Sequence, residues 1–185
     1  MIGYAFCGSF CTLSASLEFL KDLASREQVL PIMSNIVYTT DTRFWQKDKF
    51  IEEVTKITGR EPIHTVEDAE PLGPRIKLDS LIIAPCTGNT IAKLASGITD
   101  TPVTMAAKAH LRSDRPLLIA LASNDAMSAN LKNIALMLMR KNVYMCVMRQ
   151  DDPENKPHSL VWDSASLPLC YEKMMLGEQV RPLFI

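Results

Sequence analysis

Three short stretches hold most of the side chains able to do chemistry, and each follows an apolar run. Gly8-Ser9-Phe10 combines a glycine that permits close backbone approach with a hydroxyl, directly before a helical pattern. That arrangement suits a phosphate at a helix N-terminus, and an ordinary N-cap at Ser9 or Thr12 explains it equally well. Pro85-Cys86-Thr87-Gly88-Asn89-Thr90 sets three hydrogen-bonding side chains around one glycine. One cap accounts for Thr87 or Asn89 but not for all three, so this segment reads as a ligand loop. Ala122-Ser123-Asn124-Asp125-Ala126-Met127 repeats the theme, with Ser123 or Asp125 as caps of the next helix. Cys86 is a candidate nucleophile because a helix N-terminus lowers a thiol's pKa, but no histidine adjoins it and a packing or lining role reads better. His64 and His110 are the histidines expected near these loops, as candidate acid–base groups, whereas His158 falls in a polar turn.

The elements that must position these loops alternate. Apolar runs at 2–7, 29–34, 80–85, 116–122 and 143–148 read as strands, and helical spacing recurs over 13–24, 44–57, 90–96, 103–110 and 131–141. Residues 60–78, with Pro62, Pro71, Gly73 and Pro74, read as a connection holding at most a short strand at 63–66. Residues 151–157 form an exposed turn, and the tail has a weak pattern whose PLFI end suits a contact with a neighbouring copy. Strands alternating with helices predict a three-layer α/β/α sandwich around a mostly parallel, Rossmann-like (flavodoxin-like) sheet. Ligands of such sheets bind outside the carboxyl ends of the strands, where all three loops belong.

Composition narrows the field. The 185 residues are 47% hydrophobic and 22% charged, enough for one folded domain over 1–185 and too few for two ordinary ones. Twenty basic against 21 acidic residues leave a net charge of -1, which gives no field for nucleic acid or an anionic membrane. Five scattered cysteines read as reduced thiols of an intracellular protein, with Cys7 and Cys11 as packing residues, since neither a second pair nor histidines accompany them to hold a metal. The first basic residue, Lys21, follows the apolar opening, so no export signal is read, and no run is long enough to span a membrane. The first loop lacks both the G-x-G-x-x-G fingerprint and the lysine of a P-loop.

At PCTGNTIAKLASGITD, residues 85–100, the chain resembles the homo-oligomeric flavin-containing cysteine decarboxylase superfamily, through Pro85, Thr87, Asn89, Thr90, Gly97 and Asp100. The resemblance extends to AFCGSFCTL and to LIALASNDAMSANLKNIALML at 118–138. It implies an FMN site built from Gly8, Ser9, Phe10, Ser34, Pro85, Thr87, Gly88, Asn89 and Thr90, with His64 as the nearest equivalent of the catalytic histidine. Asn124 and Met127 match the superfamily's substrate segment, but its proline, first methionine and tryptophan are missing, so a decarboxylase's substrate clamp is not expected. Within the superfamily the likeness implies one subunit of an oxidoreductase in the mother-cell cytoplasm of a sporulating bacterium. Its substrate would be dihydrodipicolinate, oxidised to dipicolinate with a second protein that carries NADP or NAD. The alternatives are an FMN-dependent decarboxylase, a prenyl-flavin transferase, or a non-catalytic partner that has lost flavin. Superfamily members form trimers and dodecamers with flavin between protomers, and Lys108 or Arg112 are cations that a neighbour could lend.

Overall fold

The computed structural model describes residues 1–73 and 75–185; Pro74, one of the breakers of the 60–78 connection, lies outside the described residues. Strands β1 (Ile2–Phe6), β2 (Val29–Met33), β3 (Ser80–Thr87), β4 (Leu117–Ser123), β5 (Val143–Met145), β6 (Met148–Arg149) and β7 (Leu160–Trp162) form one sheet. Its order is β2-β1-β3-β4-β7-β6, with β5 also on β4. The first five strands pair in parallel, and β6 and β7 are antiparallel additions. This is the mostly parallel sandwich that the alternation predicts.

Helices α1 (Leu13–Ala24), α2 (Asn35–Thr39), α3 (Lys47–Thr58), α4 (Val66–Ala69), α5 (Gly88–Ser96), α6 (Pro102–Leu111), α7 (Leu131–Leu138) and α8 (Leu167–Met175) complete the layers. Side chains of a strand alternate between faces, so each strand feeds two cores. Tyr4, Phe6, Ile82, Leu118 and Ala120 pack with α1, α3 and α8, whereas Ala5, Leu81, Ile83, Ile119 and Leu121 pack with α5, α6 and α7. Residues 117–121 of β4 are fully shielded. Each large side chain there contributes about 1.5–3 kcal/mol. No helix among the described residues is long and apolar enough to cross a membrane.

Several expectations are corrected. The apolar run 143–148 is two strands: Cys146 N donates to Ile119 O at 2.9 Å, and the chain then turns so that β6 pairs with β7. Burial of Cys146 and Val147 keeps the run apolar through the break. At 63–66 only Ile63 bridges β2, and α4 follows at once. The tail is ordered, with Leu167, Cys170 and Met174 of α8 buried on one face. Within the PLFI end Leu183 is buried on its own chain, with Met148 N donating to Leu183 O at 2.8 Å, while Phe184 and Ile185 stay exposed.

Candidate functional site

The parallel strands point their carboxyl ends one way, so the loops after β1, β3 and β4 meet. They frame a cleft of about 560 Å³, lined on these loops by Gly8, Ser9, Phe10, Thr87, Gly88, Asn89, Ser123, Asn124 and Asp125. That volume lies within the roughly 300–1,000 Å³ of small-molecule sites. β5 occupies the edge of β4 only at 117–119, and β7 takes it over at 122–123, nearer the cleft. The excursion from β6 to β7 therefore crosses the opening and supplies Asp151, Lys156, Ser159, Leu160 and Val161 to the lining. Arg43 and Phe44, on the connection from α2 to α3, close another wall, with the guanidinium 4.8 Å from the ring centroid.

Capping does not account for the first loop. Neither Ser9 nor Thr12 makes a side-chain cap bond; Thr12 Oγ1 donates instead to Ser9 O at 2.9 Å and to Ser9 Oγ at 3.3 Å. A Cβ on Gly8 would lie 2.8 Å from Ile36 Cγ2, so glycine lets the loop sit against α2. In the second loop the cap is Thr87, and it does not account for Asn89. Thr87 Oγ1 accepts from Thr90 N at 3.2 Å, which leaves Asn89 exposed at the cleft with no hydrogen-bond partner among the described residues. Pro85 and Thr90 stand behind the lining: Pro85 O accepts from Cys7 N at 3.0 Å, and Thr90 Oγ1 donates to Cys7 Sγ at 3.4 Å. Ser34, at the tip of β2, is buried behind the first loop.

Asp125 does not cap α7. Its carboxylate accepts from Ser123 Oγ and from Asn130 Nδ2 at 2.8 Å, and buried Asn130 accepts in turn from Asn133 Nδ2 at 2.8 Å. The hydroxyl of Ser123 and then the amide of Asn130 hold this carboxyl below the usual range, so it is ionised at neutral pH. Burial pushes the Cys86 thiol well above its ordinary pKa, which removes the nucleophile reading; Cys7 is pushed up to about 11 for the same reason. Cys11, expected to be buried, is exposed and lines the cleft.

Other candidates lie elsewhere. His64 is outside the lining, stacked on Tyr38 at 3.8 Å beyond the outer strand β2. His110 is at the opposite end of the sheet, where Nε2 donates to Pro116 O at 2.9 Å, because α6 runs back from the cleft toward the start of β4. Met127 packs partly buried against the core, and its N–H donates to His158 O at 2.9 Å. Lys108 and Arg112 line a separate hollow of about 280 Å³ between α5, α6 and α7. The contributions of Arg43, Phe44 and 151–161 were not anticipated. The one available signal is the charge-rich turn DDPENKP set between two strand segments.

A flavoprotein family model matches residues 9–164. Over all 185 residues the chain is 37% identical to the B subunit of dipicolinate synthase from Bacillus subtilis, covering 92% of that protein. It is 30% identical over 123 residues to flavin prenyltransferase UbiX of Thermoplasma acidophilum, covering 64% of each. The crystal structure of the dipicolinate synthase B subunit from Bacillus halodurans is similar with a TM-score of 0.90 and 37% identity, over 100% of this chain and 95% of that one. The FMN-dependent cysteine decarboxylase SpaF shares the fold at a TM-score of 0.68 and 20% identity over 95% of each chain. By the family match across most of its length and by a relative alike from end to end, this chain belongs to the flavoprotein family.

Proposed function

We propose that the chain works as the B subunit of a dipicolinate synthase, oxidising dihydrodipicolinate to dipicolinate together with the synthase's A subunit, which carries NADP or NAD. The observation that carries this reading is the 37% identity along the entire chain to a protein of that name. The altered 121–128 segment argues against a decarboxylase, because Asn124 survives without the flanking proline and tryptophan. We place the protein in the mother-cell cytoplasm and expect it to self-associate as a trimer or dodecamer, as its superfamily does.

The residues present fit a flavin mononucleotide. Ser34 Oγ is buried without a hydrogen-bond partner among the described residues, and Gly8, Ser9, Thr87 and Asn89 line the adjoining cleft. Gly8, Ser9, Phe10, Ser34, Thr87 and Asn89 would hold the group, and it would supply two-electron redox chemistry. Dehydrogenating a dihydropyridine removes a hydride, which a redox cofactor of the complex would take, and a proton, which passes to solvent, and the ring gains aromaticity. Little acid–base power is needed from side chains, so this chain's task is orientation. Arg43 and Lys156, on two walls of the cleft, suit the two carboxylates of the substrate, with Lys156 steadied by Asp151 at 2.9 Å.

Mixing the purified chain with the nicotinamide-binding partner, dihydrodipicolinate and NADP or NAD, with and without FMN, tests the reading by the ultraviolet absorbance of dipicolinate. Product is expected only when both proteins are present. Full activity from either one alone, or none from the mixture, overturns it. Prenylation of reduced FMN by this chain would replace it with the transferase reading, which the 30% identity over 123 residues favours.

A further inference from the structure

The carboxylate of Asp125 lies beside the first residue of α5. Gly88 opens α5, a helix of nine residues whose N-terminal end carries a partial positive charge. A Cβ on Gly88 would run into Ser123 Oγ and lie 2.7 Å from Asn130 Nδ2 and 2.9 Å from Asp125 Oδ1. The whole Asp125 cluster is therefore pressed against the start of the helix, and only glycine permits it. Two donors, Ser123 Oγ and Asn130 Nδ2, converge on Oδ1, while Oδ2 has no partner among the described residues and Asp125 lines the cleft. The buried Asn133-to-Asn130 bond fixes the amide that orients the carboxylate.

We infer that Asp125 is a built-in acceptor on the cleft wall beside the start of α5, so that a guest must present a ring N–H or O–H donor to its free oxygen and carry its own negative charge elsewhere. The cations placed to take that charge are Arg43 and Lys156, on other walls of the same cleft. Asp125 takes its hydrogen bonds from Ser123 and Asn130, while Thr87 caps α5, so its second oxygen is left as an acceptor at the cleft. This deepens the flavin-and-dicarboxylate reading of the cleft and rests on it.

Asp125→Asn makes a sharp test. Ser123 and Asn130 both donate inward, so the new side chain keeps its oxygen on them and turns its NH2 toward the cleft. Acceptor becomes donor at nearly unchanged shape. Calorimetric titration with two probes, neutral riboflavin with its imide N–H and dianionic pyridine-2,6-dicarboxylate without a ring N–H, should show changes of opposite sign. Riboflavin is expected to bind at least tenfold more weakly to the variant, and the dicarboxylate about fivefold more tightly. A parallel loss of both, no change in either, or no binding of either probe to the natural protein overturns the inference. Reversal without turnover in the two-protein assay would overturn the synthase reading and leave the role of Asp125 standing. Turnover without reversal would do the opposite.

Discussion

The two ends of the sheet use similar polar groups for opposite purposes. At the amino end the charged groups close on one another, although Ser80 Oγ and His110 Nδ1 are buried without a partner among the described residues. The Met1 amine donates to Asp79 at 2.6 Å, Arg115 Nη1 donates to Leu78 O at 2.6 Å and reaches Asp79 at 3.2 Å, and His110 Nε2 donates to Pro116 O at 2.9 Å. At the carboxyl end Ser34 Oγ, the Asn89 amide and Asp125 Oδ2 have no partner among the described residues, although all adjoin or line one cleft. A buried polar group without a partner costs about 1–3 kcal/mol. The difference therefore lies in the charged and exposed groups: the amino end pairs its charges with one another, whereas the carboxyl end turns Asn89 and Asp125 toward a cleft.

The largest expected effect breaks this comparison at two glycines. Gly88→Ala drives a Cβ into Ser123 and Asn130, and Gly73→Ala, at φ +100°, drives one into the backbone oxygen of Ala109 near the amino end. Each should cost about 2–3 kcal/mol and lower Tm by roughly 5–10 °C. Only the Gly88 variant should also lose riboflavin binding, which a titration on folded material at low temperature would show. Equal binding loss in both variants would erase the distinction between the ends.

A smaller effect separates the ends by pH. Burial holds the His110 imidazole below its ordinary value near 6.5, so the unfolded chain binds the extra proton first as pH falls. Its contribution to stability is complete above about pH 6.5 and declines as pH falls from there toward the folded value. Asp125 is depressed by the hydrogen bonds of Ser123 and Asn130, so its contribution is complete above the unfolded value near 3.8 and is lost as pH falls through the folded one. Denaturant midpoints measured from pH 8 to pH 3 should show two steps. His110→Gln should flatten the upper one, and Asp125→Asn the lower.

How much of this was legible in the sequence follows from what periodicity records. Runs such as LIIAP and PLLIALA are apolar because both faces of a parallel strand are buried, so β3 and β4 and the loops after them could be read. Polar clusters at their tips located the cleft before its shape was known. Which partner a strand takes leaves no trace in hydropathy, so the turn from β5 into β6 was hidden, and with it Asp151 and Lys156. Leu167, Cys170 and Met174 do keep helical spacing, but Pro168 and the short length of α8 mask it. His110 was misplaced because a crossover helix returns to the amino end, and ten residues of α6 carry the chain about 15 Å back. The internal use of Asp125 was out of reach, since a cap and a clamped carboxylate share one residue pattern.

The most direct test of the cleft is an FMN titration, followed by quenching of flavin fluorescence, on the natural protein and two variants. Ser9→Ala with Asn89→Ala removes two donors from the carboxyl end at little expected cost to stability, and Asp79→Asn cuts an exposed ion-pair cluster at the other end, worth about 0–1 kcal/mol. The account predicts saturable binding to the natural chain, affinity at least tenfold lower in the double variant, and an unchanged value for Asp79→Asn. Saturable binding that is indifferent to Ser9 and Asn89, or that falls with Asp79, would contradict it.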